Sequence, residues 1–333
     1  MRVDYHLHLE EGPYSFRWLD RTNAALDWFH PIDAPKHTRD WLQASYARLQ
    51  ARLERGAYDA SWIDLYLEEA LRKGLKEVGI VDHLYRFQEA RPYFERRMEL
   101  GDSELGRLQA TWLQQVCTEN MGDFVAAIQS AKPRWAERGI QLRLGIEADY
   151  FPGGEAELTQ LLNLADWDYV IGSVHFFDGW GFDNPDVSHL FEQYDLPDLY
   201  RRFFAVVEGM IRSGLFDIAA HLDNLKVFCY RPDEALLLPL YEQIAAALKE
   251  TGTATEVNAG LYYRYPVREM CPSPAFLDVL RKHGVAFTLS SDAHFPDDIG
   301  KYVAQNAAML KQKGVEEIAT FAARQRVMKP LQA

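Results

Sequence analysis

Short apolar segments with strand-like composition recur along this chain, and a segment with helical spacing separates most of them from the next. We interpret seven as strands, at residues 3–8, 77–83, 140–148, 169–175, 216–221, 253–258 and 285–290. Strands that alternate with helices predict parallel βαβ units. No Gly-rich phosphate-binding loop follows the first strand, which argues against an open nucleotide-binding sheet. The pattern therefore favours an α/β fold with a closed TIM-like (β/α) barrel.

Two connections between the predicted strands are unusually long. Residues 9–60 contain a helical pattern at 38–55, and residues 84–121 contain a second amphipathic stretch. Long loops on a barrel tend to shape its functional site. We therefore predict one domain over residues 1–333, with insertions near 9–60 and 84–121. A capping box at Ser61 predicts the start of a further helix, and two terminal helices are predicted after the last strand.

Composition excludes some classes of function. The chain of 333 residues has a formal net charge of −13, which argues against a nucleic-acid-binding surface because such a surface needs Lys and Arg. Its three cysteines lack metal-motif spacing, so we expect free thiols in a reducing compartment. The first strand begins almost at Met1, and no apolar run approaches the ~18 residues of a membrane span. We expect a cytoplasmic protein without a membrane partner; its oligomeric state is left open.

Histidines and acidic residues stand at the ends of six of the seven predicted strands. They are His6, His8, His83, Glu147, His175, His221, Asp292 and His294. In a barrel of this class, functional groups lie at the carboxyl ends of the strands, so these side chains should meet. A single histidine at a strand end is more often structural. Six with two carboxylates are hard to explain by packing, because unpaired buried polar groups are costly.

Imidazole and carboxylate groups are ligands of Zn, Mn or Fe rather than of an all-oxygen calcium site. Eight side chains exceed the needs of one ion, so we predict two or three divalent transition-metal ions with a bridging carboxylate. Such a cluster suits hydrolysis of a small phosphate ester, because it lowers the pKa of a bound water toward ~7 and holds the phosphate oxygens. Phosphate also favours arginine partners, and we predict that Arg86 and Arg264 bind the substrate.

Several longer stretches resemble one known family. They lie at residues 168–175 and 179–183, 221–226, 256–258 with 260–261, and 291–294. Together with the strand-end residues, they resemble the polymerase-and-histidinol-phosphatase (PHP) superfamily, and more narrowly its histidinol-phosphate phosphatases, over roughly residues 1–300. The resemblance implies a distorted (β/α)7 barrel of the PHP type and a site for three metal ions.

Carried over by position, the resemblance also implies which residues hold which ion. The first ion would be held by His6, His8, Glu147 and Asp292, the second by His83 and His294, and the third by Glu147, His175 and His221. The second ion usually gains a ligand from the loop after the first strand, which here offers Glu10 and Glu11, and Glu11 is favoured. The implied reaction is hydrolysis of L-histidinol phosphate by a metal-bound hydroxide, a step of histidine biosynthesis.

Other classes of protein share parts of this pattern. Amidohydrolase and lactonase barrels also open with H-x-H, but they usually carry a lysine or carboxylate on the fourth strand, where this chain has His175. A PHP exonuclease or phosphodiesterase is disfavoured by the acidic charge, and a non-catalytic metal-binding module by the intact ligand set. A PHP phosphatase acting on a different small phosphate ester stays open.

Overall fold

The computed structural model describes residues 2–10 and 12–332 of the chain. The strands in these residues are β1 (Val3–Asp4), β2 (Glu77–Ile80), β3 (Gln141–Asp149), β4 (Tyr169–Ser173), β5 (Phe176–Phe177), β6 (Trp180–Gly181), β7 (Ile218–Ala219), β8 (Ala254–Asn258), β9 (Phe287–Ser290), β10 (Glu317–Ala322) and β11 (Gln325–Pro330). The α-helices are α1 (Phe16–Phe29), α2 (Arg39–Arg55), α3 (Ala60–Arg72), α4 (Arg91–Glu95), α5 (Glu104–Val116), α6 (Met121–Glu137), α7 (Glu155–Leu162), α8 (Leu196–Arg212), α9 (Glu234–Thr251), α10 (Gly260–Arg264), α11 (Pro274–Lys282) and α12 (Val303–Gln312).

A parallel sheet forms the centre of the fold. In the described part of the chain it has seven strands, in the order β1-β2-β3-β4-β7-β8-β9. The segments that follow β1 and β9 close the ring: the Tyr5 amide donates to the Leu289 carbonyl at 2.9 Å, and the Asp292 amide donates to the His6 carbonyl at 2.8 Å. The first and last strands therefore meet. The TIM-like barrel expected from the sequence is confirmed.

Tyr169, at the start of β4, fills the amino-terminal part of the barrel. Its hydroxyl donates to the Tyr5 carbonyl at 2.8 Å. A Cβ atom on Gly79 would lie 2.1 Å from the Tyr169 hydroxyl, and one on Gly145 would lie 2.4 Å from the Tyr169 ring. These two strands therefore need glycine opposite Tyr169, because any side chain there would overlap its ring.

The C-terminal residues cover the same end of the barrel. The sequence predicts two terminal helices after the last barrel strand. The first of them is α12. The prediction of the second is wrong, because β10 and β11 form an antiparallel hairpin after α12. Ala323 and Arg324 turn this hairpin with φ of 46° and 61°, the left-handed values that tight hairpin turns require. The Phe321 amide donates to the Tyr5 hydroxyl, which donates to the Glu77 carboxylate at 2.6 Å. Tertiary contact with the barrel floor thus decides the structure of this segment.

The two long connections fold mainly as helices. Residues 9–60 contain α1 and α2, and residues 84–121 contain α4 and α5. The helical pattern at 38–55 is confirmed, whereas the start of α3 differs from the prediction. The Asp59 carboxylate, rather than Ser61, accepts the Trp62 amide at 3.3 Å and caps that helix. That these segments are insertions into a single domain stays a prediction.

Two smaller expectations can be compared with the structure. Cys117, Cys229 and Cys271 are free thiols, as predicted. Within residues 2–10 and 12–332, the helices are all too short or too polar to cross a bilayer.

The packing around Tyr169 can be tested with one added methyl group. We expect Gly79→Ala to lower the free energy of unfolding by about 1–3 kcal/mol, the usual cost of overfilling a core. The measurement is urea unfolding followed by tryptophan fluorescence. Gly122→Ala in α6 is the matched control, because a Cβ there meets nothing within 4 Å, and helix propensity should make it neutral or slightly stabilising. Equal stability of both variants would contradict the packing argument.

Candidate metal centre

The carboxyl ends of the barrel strands bring the predicted ligands together. His6 and His8 follow β1, Glu147 lies in β3, and the other five follow the ends of β2, β4, β7 and β9. They are His83, His175, His221, Asp292 and His294. All six histidines and Glu147 are buried, and Asp292 is half-buried. The structure thus gathers these eight side chains in one buried cluster, as the barrel geometry predicts.

Glu147 lies at the centre of this cluster. Its Oε2 atom lies 3.2 Å from His6 Nε2, 3.4 Å from His8 Nε2 and 2.8 Å from His83 Nδ1. Its Oε1 atom lies 3.0 Å from His221 Nε2 and 3.5 Å from His175 Nε2. One carboxylate therefore faces five imidazoles from four strand ends. That is the position of a bridging ligand.

The polar atoms of this cluster lie close together, but several of them form no hydrogen bond with one another. Glu147 Oε2 and His83 Nδ1 are both buried and form no hydrogen bond with the described residues, despite their short separation. His6 Nε2 and His8 Nε2 lie 3.1 Å apart, so at most one of them can hold a proton between them. Buried polar atoms left in this state are costly unless another group pairs with them. A divalent cation is such a group, and nitrogen and carboxylate donors suit a transition metal.

Three groups of donor atoms each lie within 4.8 Å of one another in the described residues. They are His8 with His83 and His294, His6 with His8 and Asp292, and His83 with Glu147 and His175. The second group falls within the ligand set predicted for the first ion, and the first group contains the pair predicted for the second ion. His8 and His83 each belong to more than one group. The assignment of ligands to individual ions stays a prediction.

The electrostatics of the cluster divide its members. Against the effect of burial, neighbouring carboxylates raise the pKa of His6 well above its usual value and that of His175 to about 10, whereas three other groups are held in the protonation state that a metal ligand needs. Burial alone would raise the pKa of Glu147, but the surrounding imidazoles, His6 and His83 foremost, hold it well below its usual value. Burial and the neighbouring His83 lower the pKa of His8 well below its usual value. Burial and Arg264 do the same for His294. Metal binding requires a charged carboxylate and neutral imidazoles, and these three groups meet that requirement.

Carboxylates behind the cluster orient two of the imidazoles. His6 Nδ1 lies 3.0 Å from Glu256 Oε2, and His175 Nδ1 lies 2.9 Å from Asp149 Oδ1. Each contact turns the Nε2 atom of the same ring toward Glu147. Such partners fix the tautomer and orientation of a metal-binding histidine.

The sequence analysis did not assign roles to Glu256 and Asp149. A signal was available for Asp149, which follows Glu147 by two residues on β3 and so shares its face of the strand. Glu256 lies on β8, a strand without a predicted ligand. Its contact with His6 depends on closure of the barrel, which only the structure reveals.

The two predicted arginines occupy different places. Arg264 Nη1 lies 3.2 Å from Asp292 Oδ1 and 2.6 Å from His294 Nδ1, and its side chain lines a cavity above the cluster. Arg86 is buried with its Nε atom 3.3 Å from Asp82 Oδ2, and it is not among the residues lining that cavity. It supports the turn after β2 from behind. Its role in substrate binding stays a prediction.

The loop after β1 offers two carboxylates. Glu11, the predicted further ligand of the second ion, lies outside the described residues. The neighbouring Glu10 is buried, with Oε2 2.6 Å from Arg52 Nη2 and Oε1 accepting from the Trp18 indole. Glu10 is therefore committed to contacts away from the cluster.

The cavity above the cluster has a volume of about 660 Å³. Its floor includes Glu147, His175, His221 and His294. Its walls include Arg17, Arg264 and Asp183, together with the aromatic residues Tyr85, Trp112 and Phe176. The cavity thus joins a metal-ligand floor to cationic, acidic and aromatic walls, and its size suits a small molecule.

A closed (β/α) barrel with a histidine–carboxylate cluster at its strand ends defines the class of metal-binding barrel proteins. The PHP domain family model matches residues 59–260, and the chain belongs to this family. Both the family and the barrel of the PHP type predicted from the sequence are confirmed. Membership and donor set together identify a site for divalent metal ions.

Two curated relatives share this family resemblance. A probable histidinol-phosphatase of Deinococcus radiodurans is 39% identical over 223 residues, covering 66% of this chain and 81% of the relative. The histidinol-phosphatase of Lactococcus lactis subsp. lactis is 20% identical over 207 residues, covering 61% of this chain and 76% of the relative.

A solved structure has a similar fold. The histidinol phosphate phosphatase of Lactococcus lactis, crystallised with zinc, L-histidinol and phosphate, superimposes with a TM-score of 0.64. The match covers 98% of this chain and 98% of that chain at 17% identity. The similarity extends over nearly the whole chain, including the helices before residue 59.

The role of Asp149 can be tested through metal affinity. We expect Asp149→Asn to weaken metal binding by about 10–100-fold, because the amide no longer fixes His175 as a carboxylate does. The measurement is metal content after dialysis against graded chelator, by mass spectrometry. Asp166→Asn, an exposed change on the same protein, serves as the control. Unchanged affinity in Asp149→Asn would remove this residue from the site.

Proposed function

We propose that this chain is a phosphomonoesterase that hydrolyses L-histidinol phosphate to L-histidinol and phosphate, using two or three divalent Zn, Mn or Fe ions. The observation that carries the proposal is the ligand cluster at the floor of a cavity with both a cationic and an aromatic–acidic wall. The relative at 39% identity, itself a probable histidinol-phosphatase, supports the same substrate. This reaction belongs to histidine biosynthesis, which accords with a cytoplasmic enzyme.

The proposed ligands of the metal ions are His6, His8, His83, Glu147, His175, His221, Asp292 and His294, with Glu11 as a further candidate. Ions held there would acidify a water molecule and neutralise the charge on the phosphate. The protein's contribution is to hold these donors in place before the substrate arrives. Because Glu10 is already paired with Arg52, Glu11 is the better candidate of the two loop carboxylates.

The position of Arg264 supports a role in binding a phosphate oxygen. Its guanidinium borders the cavity beside Asp292 and His294, and the side chain is 15% exposed. A planar guanidinium can donate two parallel hydrogen bonds to phosphate. We infer that Arg264 holds the phosphate against the floor of the site and that Arg86 acts only by supporting the turn that carries His83.

The opposite wall suits the organic half of the substrate. The ring centroids of Tyr85 and Trp112 lie 4.8 Å apart, and those of Trp112 and Phe176 lie 5.8 Å apart. Asp183 borders the cavity near these rings. L-Histidinol has a flat imidazole and a cationic amine, which require an aromatic surface and an acidic partner. We infer that the rings contact the imidazole and that Asp183 pairs with a cationic group.

The metal dependence of the reaction gives the first test. We expect rapid phosphate release from L-histidinol phosphate, loss after chelation, and recovery when Zn, Mn or Fe is added back. His175→Ala and Asp292→Ala should each reduce kcat to near background without unfolding the barrel. Near-full turnover in either variant would contradict the assigned site. Metal-dependent release from other phosphate esters, but not from this one, would exclude histidinol phosphate as the substrate.

The proposed roles of Arg264 and Asp183, on the two walls of the cavity, can be distinguished by comparing two substrates. We expect Arg264→Ala to raise KM for both L-histidinol phosphate and a generic aryl phosphate, because both carry the phosphate. Asp183→Asn should raise KM for L-histidinol phosphate about tenfold or more, the effect of a lost charge-assisted contact, and should leave the aryl phosphate unaffected. Equal effects of Asp183→Asn on the two substrates would contradict its assignment to the organic half.

A further inference from the structure

Helix α2 buries polar residues and exposes apolar ones, the opposite of what a surface helix usually does. Within this fully described helix the buried residues are Ser45 and Arg52, both polar. The large apolar side chains point outward instead: Leu42 is 62% exposed, Tyr46 is 68% exposed and Leu53 is 52% exposed. Surface helices normally bury their apolar face. A helix with the opposite arrangement has an apolar surface that the described part of this chain does not cover.

This orientation is fixed by a buried ion pair. Arg52 Nη2 lies 2.6 Å from Glu10 Oε2, and both side chains are nearly inaccessible. The Arg52 guanidinium also stacks 4.5 Å from the centre of the Trp62 ring. Turning α2 to bury its leucines would leave Glu10 without its cationic partner in the protein interior, which is strongly unfavourable. The apolar face is therefore held toward solvent.

The α2 seam, as we call it, consists of the exposed Leu42, Tyr46 and Leu53 together with the half-buried Leu49. Their spacing of four, three and four residues keeps them on one side of a helix that turns 100° per residue. This is the spacing by which two helices pack along their length. Of the twelve large apolar side chains exposed in the described residues, seven lie between residues 14 and 53. The seam is thus part of the most apolar region of the described surface.

Charges beside the seam determine which helix fits it. Arg39 and Glu54 lie on the same flank of the seam, one near each end of α2. If two copies of α2 pack in opposite directions, Arg39 of each copy comes near Glu54 of the other. Leu42 then faces Leu53, and Tyr46 faces Leu49. Packing in the same direction would bring this flank against the opposite flank of the partner helix, so Arg39 and Glu54 would not pair. The seam is therefore self-complementary in the antiparallel arrangement.

We propose that the α2 seam is the interface of a two-fold symmetric dimer, and that its occupant is the α2 seam of a second copy of this chain. The surface is identical on both partners, as a two-fold axis requires. It lies before residue 59, outside the part of the chain that matches the PHP family model. None of the four seam residues is a proposed metal ligand, so failure to dimerise would leave the proposed reaction untouched.

The test is the oligomeric state of the full-length, metal-loaded protein, measured by sedimentation equilibrium over a wide concentration range. We expect a reversible dimer. Tyr46→Glu should raise its dissociation constant about 30-fold or more, the effect of removing a central aromatic contact, and Leu42→Glu should do likewise. Leu164→Glu is the matched control, because Leu164 is 56% exposed on α7's C-terminal side, away from α2. The control should dimerise as the parent does.

Exchanging the charges of Arg39 and Glu54 distinguishes a lost interface contact from misfolding as the cause of a weakened dimer. We expect Glu54→Arg to weaken the dimer and the double variant Arg39→Glu with Glu54→Arg to restore it. Phosphate release and thermal stability of these variants should match those of the parent. A protein that is monomeric at all concentrations, or a dimer that persists in Tyr46→Glu, would overturn the proposal. A monomer that retains a different bound protein through the seam would also overturn it.

Discussion

The structure depends on one buried carboxylate. Glu147 is enclosed by imidazoles from both sides of the barrel, and no hydrogen bond reaches its Oε2 atom from the described residues. A charge in this position is costly unless cations compensate it. The lowered pKa of Glu147 indicates that the site keeps it ionised. The folded chain therefore requires positive charge at this place, and its other features determine how that charge is held.

Closure of the barrel is the first of those features. The Asp292 amide donates to the His6 carbonyl at 2.8 Å, so the bond that joins the first and last strands also sets two proposed ligands side by side. Asp4 reinforces the junction by accepting the amides of Ser291 at 2.9 Å and Gly300 at 2.8 Å. Because these two proposed ligands lie next to the closing strands, the stability of the barrel and the geometry of the site depend on the same hydrogen bonds.

The recurring strands and the histidines at their ends could be predicted from the sequence. Features that depend on contacts between residues far apart in the chain could not. Strand-end histidines were identifiable because each follows an apolar run, and barrel topology brings such ends together. The role of Glu256 depends on a contact 250 residues away in the chain. Arg86 follows His83 closely, yet the turn after β2 directs it toward Asp82 and away from the cavity. The terminal hairpin depends on contacts with the barrel floor. Local patterns predict elements, whereas side-chain direction follows from packing.

The first long connection links the metal site to the surface. Glu10 follows the strand segment that carries His6 and His8, and its carboxylate binds Arg52 of α2. Gly12 and Pro13, next along the chain, line the cavity. The ion pair that turns the α2 seam outward therefore also holds the start of the loop at the cavity mouth. The polar inner face of α2 thus has a structural reason: Arg52 holds the loop at the cavity mouth, and the apolar residues face outward.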